Sequence, residues 1–567
     1  METPKPGPAT LTLQQALDLA TQHHRAGRFA EAEVIYRRVL EVDPNNANAL
    51  HLLGVLGGQV GQAESGIQLM RRAIALQPDF VDAYNNLGCT LVAQDQPDEA
   101  IEALRNAIRL QPDNPMIRLN LTTAMLQSGL ANETLAMLRA LLPNAPGWVA
   151  AQSNYLLILS YTCDDPVAIL AEQRRWNQLH AQPIRSLIRP HANDPTVGRR
   201  LRVGYVSADF NDHPAGRNIL PLLREHDRDR FEIFCYSSST KRQPLTDRMR
   251  ACCNVWRDIF DVDDEAGAQM IRGDAIDILV DLSLHSSGSR LMVFARKPAP
   301  IQATFIGYPA GTGLDTIDYR LTDPYLDPPG IGDEHYVENS IRLPSTFWCY
   351  DQEGMELAVS PPVSAPPAIQ SGVVSFGCFN GFWKYNDAVL ALWAKVMAAV
   401  AGSRLIVLSP KGSARERLAR KMASFGIERN RIEFLARKPR REYLDYYSKI
   451  DIGLDTFPYN GHSTSLDSLW MGVPVVTLVG RTSVGRAGLS QLSNLNLSEL
   501  AARTPEQFVA IATKLAQDLP RLAELRSGLR RRMLSSPLMD ARRFARDVEL
   551  AYDRMWLKWC RQRTIQP

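Results

Sequence analysis

The chain has 567 residues, of which 45% are hydrophobic and 22% are charged, and this size and balance predict a globular protein of about three domains. The formal net charge is only +3, which gives no support for a nucleic-acid or membrane-surface partner, and no stretch reaches the ~18 apolar residues of a membrane span. The eight cysteines show no C-x-x-C pair and no Cys/His ligand spacing, so we expect reduced thiols in a cytoplasmic protein without structural zinc.

The chain begins with METPKPGPAT, which contains four Pro or Gly residues and no apolar run. This segment does not have the apolar centre of a signal peptide. We therefore predict a disordered lead over residues 1–12.

The region 13–148 contains a repeat of 34 residues. Prolines recur at this spacing, and two further registers hold small or apolar residues: Pro44, Pro78, Pro112 and Pro146; Ala32, Gly66, Ala100 and Thr134; Val39, Ala73, Ala107 and Leu141. The pattern resembles the tetratricopeptide repeat, in which small residues let two helices pack closely and the proline ends the second helix. We predict four repeats that stack into a superhelix, whose concave face commonly holds extended peptide, so a polypeptide partner is expected.

The repeat period fades after Pro146, although a helical pattern continues to about residue 185. A Pro- and Arg-rich connector, PIRSLIRPHANDPTVGRR, then indicates a domain boundary near residue 200. Short apolar runs rich in β-branched residues follow and alternate with helical patterns, in one series over 200–355 and another over 372–567. Such alternation predicts parallel sheets covered by helices. We expect two Rossmann-like lobes that bind ligand beyond the carboxyl ends of their strands.

Two basic segments follow strands of the second lobe. CFNGFWKYND contains Asn380 and Lys384, and a lysine there could hold a diphosphate and stabilise a leaving group. FLARKPRREY contains Lys438, Arg440 and Tyr443, where a cation and an aromatic ring could flank a nucleobase. The alternative for both segments is an ordinary solvated basic surface.

The segment NGHSTSLD places Gly461, His462, Ser463 and Thr464 at the start of a helix. Backbone N–H groups at a helix N-terminus can bind an anion, so this loop is a candidate phosphate site. Alternatively, its hydroxyl residues only cap the helix. Asp467, about one turn further on, could accept hydrogen bonds from ribose hydroxyls.

In the first lobe, His213 follows the first strand and His285 follows a later one. Either could be a general base near neutral pH, and His285 is also counted among the candidate donor-binding residues. A structural hydrogen-bonding role is the alternative for both. The run DVDDEAG, with Asp261 and Asp263, mimics a metal-binding D-x-D motif, but we predict a solvated helix start and no metal.

Four segments carry a resemblance to a known family: LRVGYVSADFNDHP, ARKPAPIQATFIGYPAGTG, FNGFWK and LDTFPYNGHSTSLDSLWMGVPVVT. From about residue 200 onward the chain resembles the catalytic region of O-GlcNAc transferases, which also carry N-terminal tetratricopeptide repeats. The resemblance implies a GT-B fold, UDP-GlcNAc as donor, inversion at the anomeric carbon and no metal or other cofactor. It also implies GlcNAc transfer to Ser or Thr hydroxyls of a polypeptide held along the repeat groove.

The resemblance assigns roles residue by residue. His213 matches the family's proposed proton acceptor, and Lys384 matches the lysine that contacts the donor phosphates. The remaining matches are Lys438, Pro439 and Arg440 for the uridine grip, Tyr443 in place of a His stacked on uracil, His462, Ser463 and Thr464 for the phosphate loop, and Asp467 for the ribose. Besides Tyr443, two further departures are Gly381, which replaces a Gln of the animal enzymes, and the missing long insert between the lobes.

The donor sugar has an alternative. GLDTIDYRLTDPYLDPPG and IRLPSTFWCY are similar to the SPINDLY branch, whose plant members transfer fucose from GDP-fucose. The His and Asp of NGHSTSLD favour the GlcNAc branch, so UDP-GlcNAc is the predicted donor. A further alternative, of another class, is a repeat scaffold whose sugar-nucleotide-binding lobes are catalytically idle.

Overall fold

The structure is a computed structural model that describes residues 11–145 and 147–565. The predicted disordered lead over residues 1–12 lies almost wholly outside these ranges, and so does Pro146, the last proline of the repeat register. Thr12 is described, and it caps the first helix, α1 (Leu13–Arg25), through a capping box with Gln15.

The chain folds as two compact units. The first contains residues 11–134 and 410–417, and the second contains the other described residues. The sequence placed the end of the repeats at residue 148, whereas this division falls inside the helix Ala131–Leu141. The end of that helix belongs with the segment that follows, because Arg139 donates a hydrogen bond of 3.0 Å to the hydroxyl of Tyr155.

Consecutive helices of the first unit pack as antiparallel pairs. After α1 they are α2 (Phe29–Val42), α3 (Ala47–Gln59), α4 (Ala63–Leu76), α5 (Val81–Ala93), α6 (Pro97–Leu110) and α7 (Pro115–Gln127), with α8 (Ala131–Leu141) crossing into the second unit. The small residues of the repeat lie where helices touch. A Cβ on Gly66 would stand 2.4 Å from the carbonyl oxygen of Gly54, so α3 and α4 can approach closely only with glycine there.

The second unit begins with a helical extension that packs onto the first lobe. It comprises α9 (Val149–Thr162), α10 (Pro166–Trp176), a π-helical turn (Asn177–Ala181) and a 3₁₀ segment (Gln182–Leu187). Leu156, Trp176 and Ala181 share one apolar core with Leu279 and Phe294 of that lobe. The extension is therefore part of the α/β core and not a free continuation of the repeats.

The first lobe contains a seven-stranded parallel sheet in the order β3-β2-β1-β4-β5-β6-β7. The strands are β1 (Leu201–Ser207), β2 (Phe231–Ser237), β3 (Val255–Asp258), β4 (Ile278–Asp281), β5 (Ile301–Thr304), β6 (Tyr319–Thr322) and β7 (Asn339–Arg342). The connecting helices are α11 (Pro214–Glu225), α12 (Pro244–Ala251), α13 (Asp264–Gly273) and α14 (Leu291–Ala295). Asp263 caps α13 by accepting a hydrogen bond from Ala266, so the DVD run is a helix start, as predicted.

The second lobe contains a six-stranded parallel sheet in the order β10-β9-β8-β11-β12-β13. The strands are β8 (Ser375–Cys378), β9 (Arg404–Leu408), β10 (Ile432–Leu435), β11 (Ile452–Leu454), β12 (Val475–Leu478) and β13 (Ala501–Ala502). The helices are α15 (Ala368–Ser371), α16 (Asp387–Ala399), α17 (Ser413–Ser424), α18 (Arg440–Asp445), α19 (Ser463–Trp470), α20 (Ala487–Ser493), α21 (Pro505–Gln517) and α22 (Leu519–Leu534), and the chain ends with α23 (Ala541–Ile565). Helical repeats followed by two Rossmann-like lobes confirm the predicted GT-B fold class.

The C-terminal helix α23 departs from the predicted domain limits. The sequence assigned all of 372–567 to the second lobe, but α23 packs against the first. Tyr552 lies 3.1 Å from the Tyr205 hydroxyl, and Glu549 lies 2.9 Å from Nδ1 of His226. All four side chains are buried, so the helix is anchored across lobes by polar contacts that the linear order of elements does not reveal.

Within the ranges that the structure describes, each helix is too short or too polar to cross a bilayer.

Candidate active site

The site lies at the point in the second sheet where the order of the strands reverses. From β8 the chain moves outward to β9 and β10, then returns to β11 on the other side of β8. Loops leaving the carboxyl ends of two such strands diverge and open a crevice. The loop after β8 contains Asn380 and Lys384, and the loop after β11 leads to His462. The strand order therefore brings together predicted site residues that are some 80 positions apart in sequence.

The loop before α19 leaves the helix N-terminus without a side-chain cap. His462 occupies the N-cap position but makes no capping hydrogen bond, and the hydroxyl of Thr464 donates instead to the Asn380 side-chain oxygen. Among the described residues, none accepts a hydrogen bond from the N–H of Ser463 or Thr464. The capping alternative therefore does not describe this loop, and its N–H groups are available to an anion.

Gly461 is required by close packing inside this loop. A Cβ at this position would stand 2.1 Å from Oγ of Ser465 and 2.8 Å from Oδ1 of Asn380. Its N–H donates to the buried carboxylate of Asp455 at 2.6 Å. Any larger residue would push the loop away from the β8 segment.

Lys384 lies against the loop that precedes α19. Its Nζ donates to the Asn460 carbonyl at 2.8 Å and stands 4.2 Å from the centroid of the Tyr459 ring. Burial lowers the pKa of Lys384 to about 8, against the opposing field of Asp455. The ammonium is thus held by a carbonyl and an aromatic face, and a bound diphosphate would give it a full anionic partner.

An aromatic row that sequence reasoning missed runs beside Lys384. The Tyr459 ring stacks on His462 at 4.6 Å, and His462 lies 5.3 Å from Trp348. On its other side Tyr459 meets Tyr161, at the end of α9, at 5.0 Å. These residues come from three distant segments, and no local spacing could have connected them. Burial, together with the neighbouring Lys384, lowers the pKa of His462 well below its usual range, so its ring is neutral.

Asp467 and Arg440, both predicted to bind the nucleoside, form a bidentate ion pair. The Arg440 guanidinium donates to both Asp467 oxygens, at 2.6 and 2.7 Å, and the Tyr350 hydroxyl donates to the same carboxylate at 2.6 Å. Burial opposes the guanidinium charge, but Asp467 outweighs burial and raises the pKa of Arg440. Tyr350, which follows β7, was not among the predicted residues.

The rest of the predicted uridine segment lies at the rim. Tyr443 is half-buried, and its hydroxyl is 2.7 Å from that of Tyr447, which in turn donates to the Thr464 carbonyl. Lys438 and Pro439 are exposed, and Lys438 pairs with Glu442 at 3.1 Å. Arg440 and Tyr443 therefore converge on the loop of α19, whereas Lys438 and Pro439 do not.

His213 lies in the first lobe at the carboxyl end of β1. It is the N-cap of α11, where its Nδ1 is 3.3 Å from the N–H of Ala215 and 3.5 Å from the Asp209 carboxylate. Its side chain is 47% exposed. Partial burial lowers the pKa of His213 while Asp209 opposes the shift, and Arg437 of the second lobe is close enough to contribute. His213 is thus a neutral, accessible imidazole that faces the other lobe.

His285, also predicted as a base or donor-binding residue, is placed differently. It is 1% exposed, with Nε2 at 2.8 Å from the Thr312 carbonyl and Nδ1 at 3.4 Å from the Ser153 hydroxyl. Since a carbonyl only accepts, the proton is on Nε2 and Nδ1 accepts from Ser153. Both ring nitrogens are engaged inside the lobe, so the structure corrects the sequence-based role: His285 is a structural residue that ties the helical extension to the first lobe.

Across residues 11–145 and 147–565, no group of three His, Cys, Asp or Glu side chains is arranged to hold a metal ion.

Comparison with known proteins identifies the family. A sequence profile described as glycosyl transferase family 41 matches residues 174–360 and 367–548. The chain belongs to this family. Tetratricopeptide-repeat profiles match residues 17–79, 69–102 and 91–154. The predicted combination of repeats with a glycosyltransferase region is thereby confirmed.

Relatives and a solved structure support this membership. The chain is 39% identical over 376 residues to a rice (Oryza sativa subsp. japonica) protein named "Probable UDP-N-acetylglucosamine--peptide N-acetylglucosaminyltransferase SPINDLY", with 65% of this chain and 40% of the relative covered. It is 30% identical over 368 residues to an Arabidopsis thaliana protein whose name is the same except that it ends in SEC, with 64% of this chain and 38% of the relative covered. The chain thus spans about two-fifths of the length of these curated relatives.

A mutant of the O-GlcNAc transferase of Thermobaculum terrenum has a similar structure along nearly its whole length. It superposes with a TM-score of 0.72 at 36% sequence identity, over 97% of this chain and 98% of that one.

Proposed function

We propose that the protein transfers GlcNAc from UDP-GlcNAc to Ser or Thr hydroxyls of polypeptides. One observation carries the proposal: Lys384, Asn380 and the uncapped N-terminus of α19 meet at the switch point of the second sheet. A cation beside unpaired helix N–H groups suits a diphosphate. The names of the family 41 relatives support UDP-GlcNAc as the nucleotide sugar.

Lys384 is the residue proposed to assist departure of UDP. As the sugar–phosphate bond breaks, negative charge grows on the diphosphate, and the ammonium stabilises that charge more in the transition state than in the ground state. The N–H groups of Ser463 and Thr464 act in the same direction. No step of this scheme calls for a metal, and the absence of a cofactor requirement stays a prediction.

His213 is the proposed proton acceptor. In the structure Nδ1 accepts from the Ala215 N–H and lies 3.5 Å from the Asp209 carboxylate. The proposal requires the other tautomer, in which Nδ1 gives up that bond and donates its proton to Asp209; Nε2 then takes the proton of the incoming hydroxyl, and the carboxylate favours the imidazolium that results. The hydroxyl then attacks from the face opposite UDP and inverts the anomeric carbon. Because the pKa of His213 is lowered, its imidazole is neutral at pH 7 and can accept a proton.

The repeat unit is the proposed holder of the acceptor. Polar side chains one repeat apart form hydrogen bonds along successive hairpins: Asn86 Nδ2 is 2.8 Å from His51 Nε2, and Asn120 donates to Asn85 at 2.8 Å. Side-chain amides that recur once per repeat can form hydrogen bonds with the backbone N–H and C=O groups of an extended peptide.

GDP-fucose is the second candidate donor. The chain is 39% identical to the SPINDLY protein of rice and 30% identical to the SEC protein. This greater similarity to the SPINDLY branch is what favours GDP-fucose as the alternative donor. Both donors carry a ribose, so for either one Asp467 would accept from a ribose hydroxyl while it shares its carboxylate with Arg440 and Tyr350.

The deciding experiment offers the purified chain a peptide library with each donor. Mass spectrometry distinguishes an added N-acetylhexosamine from an added deoxyhexose, and Lys384→Met is the matched inactive control. Transfer from UDP-GlcNAc alone supports the proposal, and transfer from GDP-fucose alone replaces it with the second candidate. Binding of either nucleotide without any transfer would instead establish an idle, repeat-carrying scaffold.

A further inference from the structure

A buried carboxylate lies directly beneath the phosphate loop. Asp455 follows β11, is 3% exposed, and accepts four hydrogen bonds. Its Oδ1 accepts from Gly461 N at 2.6 Å, from Thr456 N at 2.8 Å and from Asn380 Nδ2 at 3.2 Å, and its Oδ2 accepts from Thr477 Oγ1 at 2.8 Å. The Asn380 side-chain oxygen in turn accepts a hydrogen bond from the hydroxyl of Thr464. One side chain therefore connects the β8 loop with the loop of α19.

Hydrogen bonding alone does not explain why this residue is an aspartate. An asparagine could accept the same three donors through Oδ1, and its amide could donate to Thr477, because a hydroxyl both donates and accepts. A buried negative charge is also costly and would repel an anion bound nearby. The negative charge of Asp455 must therefore stabilise a positively charged group nearby.

Lys384 is that positively charged partner. Its Nζ donates to the Asn460 carbonyl at 2.8 Å, and the N–H of the same peptide group, that of Gly461, donates to Asp455 at 2.6 Å, so one peptide group links the two side chains. The direct contacts of Lys384 are a carbonyl and an aromatic ring, neither of which is charged. The acidic groups whose fields favour its ammonium are Asp455 and the Cys378 thiol, and burial raises the pKa of Cys378 to about 12, so the thiol is neutral. The neighbouring imidazole of His462 is neutral as well. Asp455 is thus the anion that compensates the lysine.

We propose that Asp455 is a positioning residue, which holds the phosphate loop through Gly461 and Asn380 and supplies the charge that keeps Lys384 protonated. The assignment of a diphosphate as the ligand rests on the proposed function. The coupling of Asp455 to Lys384 does not, since both groups belong to the protein itself. The two ideas can therefore fail separately.

Titration of Lys384 tests the coupling without a nucleotide. Trace acetic anhydride reacts only with neutral amines, and mass spectrometry of the Lys384 peptide over pH 6 to 10 gives the midpoint. The wild-type midpoint is expected near 8, and that of Asp455→Asn about one pH unit lower or more, because an opposite charge has been removed. Asp451→Asn is the matched control: Asp451 is equally buried, precedes the same strand, and accepts from the backbone of Ala368 and Ser375. Its midpoint should equal the wild-type value.

UDP binding by calorimetry gives the second readout. Asp455→Asn should bind UDP about fivefold more weakly than wild type at pH 8, and most of that loss should disappear at pH 6, where Lys384 is charged in both proteins. A purely structural defect would weaken binding equally at both pH values. If the wild type itself binds no UDP, the proposed function fails, while the acylation midpoints still decide the coupling.

A double variant covers the case in which Asp455→Asn does not fold. Removing both charges in Asp455→Asn/Lys384→Met eliminates the uncompensated lysine, so this protein should fold and melt above the Asp455→Asn single variant. Failure of both proteins to fold would make Asp455 a structural residue and overturn the proposal. Equal acylation midpoints in wild type and Asp455→Asn would overturn it too.

Discussion

Donor binding should weaken as the pH rises through about 8. Lys384 has its pKa lowered to about 8 by burial, so it is about nine-tenths protonated at pH 7 and about one-tenth protonated at pH 9. A diphosphate binds the ammonium form. The affinity is therefore nearly complete at pH 7 and declines as the pH rises through 8, and the Kd for UDP-GlcNAc should rise about tenfold between pH 7 and pH 9.

Calorimetry at constant ionic strength measures this change, with Lys384→Met as the control. That variant has no amine to titrate, so any residual pH dependence reports titration of the ligand or of other residues. The Kd of Lys384→Met divided by the Kd of the wild type isolates the contribution of Lys384, and this ratio should fall toward one at pH 9. If wild type and Lys384→Met lose affinity in parallel, Lys384 does not meet the diphosphate and its assignment is wrong.

Three further outcomes are expected. Gly461→Ala should reduce UDP affinity at least tenfold, since its Cβ would stand 2.1 Å from Ser465 Oγ, and thermal unfolding would show whether the fold survives. His213→Ala should abolish transfer while UDP affinity changes less than about twofold, because this side chain comes from the opposite lobe; loss of UDP binding would contradict its proposed place. In the repeats, Gly66→Ala should destabilise the first unit by ~1–3 kcal/mol, because a Cβ there meets a backbone oxygen at 2.4 Å. Gly58→Ala, whose Cβ has only ordinary contacts at 3.5 Å, should be neutral or slightly stabilising in the same denaturation assay.

Local patterns were enough to predict much of this protein. The period of 34 residues requires small residues at each helix contact, and Gly66 against Gly54 shows why. Apolar runs that alternate with helical segments predicted two parallel sheets, and the residues at strand ends included Lys384, Asn380 and the loop at His462. These features depend on neighbours within one turn, one hairpin or one strand–helix unit, so they are legible in the linear sequence.

The pairing of strands decided the rest. Because β8 lies beside β11, Asp455 comes within hydrogen-bond distance of Asn380, and Lys384 reaches the Asn460 carbonyl, contacts that no spacing encodes. Packing also sent His285 into the interior. A strand end by itself does not say whether a side chain turns toward the crevice or the core, since that depends on which element covers it. For His285 that element includes Ser153 of the helical extension, more than a hundred residues earlier, and only the tertiary structure could bring the two together.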